Sequence, residues 1–284
     1  MTLGFAYVPT LPPERLQSLA RVVDESDLDE LWVWEDCFKE SAIASAAAAL
    51  AWTSRITVGI GIMPVPLRNV AVCAMELAML ERMFPGRLVA GVGHGVQEWM
   101  DQVGGKVASP MTLLEEYATA LRRLLSGERV TVAGRYVQLE EVALDWPPVA
   151  PPPLMLGGAG PKSLALAARL SDGNLLGNAL SLDGLREVAE LVARERRGDD
   201  HAIVATVIAA TGDGAADRLA AELPKWGGAP DAGVGVAGDA DTIASYVRQA
   251  GELGMTNIVI QPTEDEPELD GFVRFLGAEV KPLL

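Results

Sequence analysis

Leu154-Met-Leu-Gly-Gly-Ala-Gly-Pro-Lys162 is the stretch on which the reading of this chain turns. Three apolar residues carry the signature of a short buried strand. Three glycines within four positions make a turn with little side-chain bulk, and Pro161 opens a helical pattern over 162–171. Proline is tolerated at a first helical position because its missing N–H would be unpaired there in any case. The remaining free N–H groups of such a helix start carry roughly +0.5 of an elementary charge and lie open where glycine leaves the backbone uncovered, so the turn can hold a phosphate. The same residues also suit a tight βα turn packed for its own sake, and the surrounding chain has to decide between the two.

Outward from that stretch the same strand-then-helix unit recurs. Continuous apolar runs at 3–8, 31–34, 55–62 and 88–92 precede it, and runs at 174–176, 201–209 and 256–260 follow. Unbroken apolar character is expected of parallel strands covered on both faces. Helical periodicity fills the intervals at 14–24, 41–52, 70–83 behind an Asn69 cap, 112–126, 182–197, 215–223 and 241–253, with a last helix at 269–280. The segment 129–139 alternates as a small hairpin outside the main sheet. Eight buried strands separated by helices, with no break suggesting two cores, predict a (β/α)8 TIM barrel over 1–284, one domain with a hairpin insertion after the fourth helix.

Composition narrows the partners. The chain has 284 residues, 49% hydrophobic and 22% charged, with a formal net charge of −16. No basic stripe is present, which argues against nucleic acid, and an anionic ligand has to be held by local amides and a few cations against the overall field. Two cysteines, Cys37 and Cys73, indicate no disulfide framework. No run reaches the ~18 apolar residues of a membrane span, and the first residues read as strand; a cytoplasmic location is expected. His94 and His201 lie far apart, without ligand spacing or clustered carboxylates, so no metal is expected.

In a barrel of this kind the chemistry sits just past the strand ends. There the chain reads Trp34-Glu-Asp-Cys37, Gly61-Ile-Met-Pro64, Gly91-Val-Gly-His-Gly95, Gly157 to Pro161, and Gly177-Asn178. Glycine at so many strand ends suits a flat ring with an extended tail lying over the barrel mouth. Asp36 reads either as a functional carboxylate or as a cap for the helix behind it. Cys37 reads as a small apolar side chain or a reactive thiol, and no basic partner adjoins it. His94, between two glycines, is placed for function, whereas His201 belongs to the barrel bottom. Trp32 and Trp34 share one face at strand spacing, and Trp99 suits a substrate wall. Lys162 favours phosphate or is simply solvated.

Taken in order, these motifs resemble the luciferase-like monooxygenase superfamily, specifically its branch that uses the 8-hydroxy-5-deazaflavin coenzyme F420. The resemblance covers nearly the whole chain. It is carried by Leu31-Trp-Val-Trp-Glu-Asp36, Ile60-Gly-Ile-Met-Pro64, Phe84 to Gly95, Pro153 to Lys162 with Ala168-Arg-Leu-Ser-Asp-Gly173, and Asn257-Ile-Val-Ile-Gln-Pro262. It implies a deazaflavin held at the C-terminal mouth, its phosphate on Gly157, Gly158, Ala159, Gly160, Pro161 and Lys162. It also implies a bulge in the third strand with a non-proline cis peptide at Gly61–Ile62 pressing on the ring system, and Gly93 and Gly177 count among the cofactor-binding residues.

Two departures qualify the resemblance. Where relatives commonly read Asp-His, this chain reads Asp36-Cys37, and the acidic residue that sugar-phosphate-oxidising relatives carry after the Gly-x-Gly of the fourth strand is Val96 here. A thiol with a pKa near ~8.5 is a poor substitute for imidazole in proton transfer at neutral pH. The expectation is therefore that His94 supplies the proton while Asp36 fixes the polar edge of the coenzyme, in an oxidoreductase passing a hydride between F420 and an organic substrate. An FMN-dependent monooxygenase of the same fold and a non-catalytic flavin-binding protein are the alternatives. Trp99, Met100 and the 102–110 loop are expected to shape the substrate pocket. A homodimer is expected, through the helices at 41–52 and 70–83.

Overall fold

The computed structural model describes residues 1–177, 180–229 and 233–284; Asn178 lies outside the described residues. Its centre is a closed barrel of eight strands: β1 (Thr2–Ala6), β2 (Glu30–Val33), β3 (Thr57–Ile60), β4 (Leu88–Gly93), β5 (Leu154–Gly157), β6 (Gly173–Leu176), β7 (Ala202–Ala210) and β8 (Asn257–Pro262). Each strand pairs in parallel with the next. β8 returns to β1 in the register Thr2↔Asn257 to Phe5↔Ile260 and closes the ring. Parallel neighbours cannot be joined by a tight turn, so helices such as Arg15–Glu25, Ala42–Trp52, Val70–Met83 and Pro161–Leu170 carry the chain back outside the sheet. This is the predicted TIM barrel.

Two layers of apolar packing follow from the alternation of side chains along each strand. One fills the space between sheet and helices. The other fills the lumen and comprises Ala6, Trp32, Val89, Met155, Leu175, Val204 and Val259. Trp32 fits only because its neighbours lack side chains: a Cβ on Gly59 would lie 2.4 Å from its ring, and one on Gly4 3.1 Å away. Leu175 fills the space that a Cβ on Gly91 would enter at 2.5 Å. At the strand-start end Glu30 accepts hydrogen bonds from Trp32 Nε1 at 2.7 Å and from Asn257 Nδ2 at 2.7 Å. Burial raises the pKa of this carboxyl, against those two donors. His201 stands at the same end, where its sequence context places it, with Nε2 2.7 Å from Asn174 Oδ1. Asn174 in turn donates to the Leu164 carbonyl at 3.0 Å, tying β6 to the helix that precedes it.

The structure departs from the sequence pattern in several places. The third apolar run is not one strand: β3 ends at Ile60, and Met63–Pro64 pairs separately with β4. Between them the Gly61–Ile62 peptide is cis, as the resemblance implies, and the Cys37–Phe38 peptide is cis without having been expected. The expected hairpin does form, as Val130–Ala133 against Gln138–Val142, three residues longer at its end than the pattern indicates. Its turn is fastened by the Glu116 carboxylate, which accepts the N–H groups of Arg135, Tyr136 and Val137. A short helix, Gln97–Gln102, follows β4, and Val236–Ala237 adds a short strand beside β7. The last helix stops at Phe275 and continues as a π turn over Leu276–Val280, where a Cβ on Gly277 would sit 3.0 Å from the Asp27 amide. Among the described residues no helix is long and apolar enough to cross a membrane, and no group of His, Cys, Asp and Glu could hold a metal ion.

Candidate active site

The strand-end face of the barrel opens into a cavity of about 480 Å³, within the ~300–1,000 Å³ usual for small-molecule sites. Trp34 to Asp36, Gly61 with Ile62, Gly93 to Val96, Gly157 to Ala159, and Leu176 with Gly177 reach it from five successive strand ends, and Thr206 reaches it from β7. Ile62 forms part of its floor. A Cβ on Gly157 would lie 2.7 Å from Ile62 Cγ2, and one on Gly93 3.2 Å from Ile62 Cδ1. These two glycines therefore make room for the Ile62 side chain rather than leaving bare backbone, a function the sequence pattern did not reveal.

The glycine turn after β5 divides in the same way. A Cβ on Gly158 would collide with Ser163 Cβ at 2.4 Å, so Gly158 lets the turn fold onto the first helical turn. Gly160 faces open space, with no atom within 4 Å of where its Cβ would stand. It caps the helix Pro161–Leu170 without any side-chain hydrogen bond. The first amides of that helix thus lack both a carbonyl partner and a side-chain cap. Ala159, Gly160, Pro161 and Lys162 are all exposed.

Of the titratable residues lining the cavity, Glu35 is spoken for. Both its oxygens receive the Arg68 guanidinium, at 2.9 and 3.0 Å, and Oε2 also accepts the Ala42 N–H. Its own N–H donates to the Ile62 carbonyl at 3.1 Å, so the ends of β2 and β3 are laced together. Asp36 keeps its carboxylate at the cavity and pairs with Lys39 at 3.2 Å. His94 turns its Nε2 to Ser163 Oγ at 3.0 Å, on the first turn of the helix that opens at the glycine turn. Burial lowers the pKa of its imidazole, against the Pro110 backbone, so the ring is neutral at pH 7. Burial, then Glu35 and Asp36, raise the pKa of the Cys37 thiol, which stays protonated.

Asp36, Gly61, Ile62, Gly93, His94, Gly157, Gly158, Ala159 and Gly177 all line this one cavity. Cys37, Gly160, Pro161 and Lys162 are not among its lining residues. Trp34 lines it, while Trp32, one strand period earlier, packs inside the barrel. Trp99 and Val96 also line it, whereas Met100 is buried beneath. Three participants carried no sequence signal. Trp226 lies edge-on to Trp34, at 6.3 Å and 83°, and comes from a glycine- and alanine-rich region with weak periodicity. Arg68 and Ser163 act through partners 33 and 69 residues away.

Comparison with known proteins adds a lineage to this geometry. 5,10-Methylenetetrahydromethanopterin reductase of Methanolobus tindarius is 30% identical over 177 residues, 62% of this chain and 54% of that protein. F420-dependent glucose-6-phosphate dehydrogenase of Kineococcus radiotolerans is 29% identical over 211 residues, 69% of this chain and 62% of that protein. The matched segment thus spans little more than half the length of these relatives. Among solved structures, the coenzyme F420 dependent tetrahydromethanopterin reductase from Methanopyrus kandleri superimposes with a TM-score of 0.85 over 99% of this chain and 98% of that one, at 20% identity. The oxygenating constituent of 3,6-diketocamphane monooxygenase from Pseudomonas putida, in complex with FMN, gives 0.81 over 100% and 98%, at 18%. These two likenesses are of fold. A sequence model of the luciferase-like monooxygenase family matches residues 4–265, and the chain belongs to that family.

Proposed function

We propose that this chain is an oxidoreductase that binds coenzyme F420 at the barrel mouth and passes a hydride between it and a small organic substrate. The observation that carries the reading is the pairing of a cavity floored by Ile62 and walled by indoles with an uncapped helix start at Gly160. A flat ring fits the first and a phosphate-bearing tail the second. The curated relatives named above, one of them F420-dependent by name, support the same coenzyme. When bound, the coenzyme supplies hydride chemistry at C5 of its deazaflavin.

The residues of the chain have separate tasks under this reading. Ile62, given room by Gly93 and Gly157, would be the surface on which the ring rests. Trp34, Trp99 and Trp226 exclude water from the sides. Asp36 would fix the polar edge, and the amides behind Gly160, with Lys162 beside them, would hold the tail. Arg68 and Glu35 keep the β2 and β3 ends in register without touching a ligand. His94 holds a proton shared with Ser163 Oγ, next to the tail seat and facing the cavity; Cys37 takes no part.

Separate titrations with F420 and FMN test the coenzyme. Tight binding of F420 with weak binding of FMN is expected, and turnover of an organic compound should follow in the F420-loaded protein without oxygen uptake. Preferential FMN binding with oxygen consumption would replace the reading with that of a monooxygenase. Tight F420 binding without any turnover would favour a sequestering protein.

We assign the apolar face of the helix Val70–Met83 to a second copy of the chain. Met75, Met79 and Met83 follow one another at four-residue spacing and are 61%, 63% and 56% exposed, a stripe that water penalises. Sedimentation should give a dimer, and Met79→Glu should give a monomer.

A further inference from the structure

A second cavity, of about 300 Å³, adjoins the first, and the two share Asp36, Trp99 and Trp226. Its charged lining consists of three carboxylates, Asp36, Glu222 and Glu264, against two ammonium groups, Lys39 and Lys225. Both ammonium groups are already paired to carboxylates of the same lining. Lys39 lies 3.2 Å from Asp36, and Lys225 lies 3.0 Å from Glu222 and 2.6 Å from Glu264. Glu222 is buried and also accepts Trp226 Nε1–H at 2.8 Å, so the arrangement is held from inside. Hydrogen bonds to Glu264 and Glu222 raise the Lys225 pKa and keep the group a bound cation. Farther out, Arg15 is likewise held by Asp270 at 2.9 Å beside Glu266 and Glu268.

An anion entering this cavity competes with carboxylates already held by both lysines, in a lining with one surplus negative charge, and a chain of net charge −16 offers no long-range attraction to offset that. An uncharged or cationic compound meets neither cost. The two indoles offer it apolar faces and, if it is cationic, cation–π attraction. We infer that this second cavity is the substrate subsite and that it takes an uncharged or cationic organic compound with a flat apolar face, excluding phosphate- and carboxylate-bearing ones. The inference rests on the proposed function for the idea that a second compound is held beside the first cavity. It separates this chain from its relative in Kineococcus radiotolerans, whose name specifies a sugar phosphate.

Benzyl alcohol, benzylamine, benzoate and phenyl phosphate present one ring with four polar groups. Each is titrated into the full chain, and indole fluorescence is compared in the wild type, Trp99→Phe and Trp226→Phe. The alcohol and the amine should quench, with a smaller response in each tryptophan variant, and the two anions should bind at least about tenfold more weakly. In the double variant Glu222→Gln/Glu264→Gln the surplus charge changes sign. The anions should then gain about tenfold while the alcohol is unchanged. Glu264→Gln alone, at a half-exposed side chain, gives the same direction should the double change unfold the chain. Anions binding the wild type as tightly as the alcohol, or no indole response to any of the four, would overturn the inference. F420 titrated into the same preparation keeps the two claims apart: failed coenzyme binding with the probe order intact removes only the proposed function, and a reversed probe order with coenzyme bound removes only this inference.

Discussion

The two ends of this barrel are built from the same residue types and used differently. At the strand-start end every polar group described above is answered by a neighbour: Glu30 by Trp32 and Asn257, His201 by Asn174, Asn174 by a helix carbonyl. At the mouth the helix beginning at Pro161 has no side-chain cap, and Gly160 faces nothing. Both histidines have a pKa lowered chiefly by burial, yet one is bonded to the asparagine that ties a strand to a helix and the other stands on a cavity beside that helix's start. What sets the mouth apart is that helix start, whose first amides have no side-chain partner.

Four experiments break or sharpen that contrast. The largest effect belongs to the closed end: Trp32→Ala empties the lumen and strips Glu30 of a donor, and urea unfolding should show a loss of roughly 3–5 kcal/mol. A loss under 1 kcal/mol would mean the lumen is not the keystone. At the mouth, Gly158→Ala drives a methyl group into Ser163 Cβ and shifts the first helical turn. Overpacking of about 1–3 kcal/mol is expected, together with weaker F420 binding by dialysis. Unchanged affinity would detach the turn from the coenzyme.

The pH dependence of stability comes next. For His201, as for His94, a folded pKa below the unfolded value of ~6.5 means that the unfolded chain takes up the proton first. Its contribution is complete above that pH and lost as the pH falls toward the folded value. The stability advantage of the wild type over His201→Gln should therefore shrink on acidification below about pH 6.5; an advantage that grows there would reverse the assigned shift. The smallest effect is Gly160→Ala. Its φ of −83° and empty surroundings predict a stability change within about 0.5 kcal/mol, so any loss of F420 affinity in this variant reports on the tail seat alone.

The barrel was legible because its signals are local. Buried parallel strands read as unbroken apolar runs, and glycine and proline mark the turns, so all eight strands were visible and the ends that carry Asp36, His94 and the 157–162 turn could be located. The short helix Gln97–Gln102 went unseen because six residues hold too little periodicity, and the break after Ile60 was implied by the resemblance alone, because an apolar run looks the same straight or bulged. The glycines misled in a particular way: a missing side chain signals a close approach without saying what approaches.

The sequence by itself determined the order of strands and helices, the acidic character of the chain and which residues stand at strand ends, since each depends on neighbours within a few positions. Only the tertiary structure decided that Gly93 and Gly157 serve Ile62, that His94 meets Ser163, and that Trp226 packs edge-on against Trp34 in the cavity wall. Those contacts join residues tens of positions apart, and closure of the ring, not any local preference, sets the distance between them.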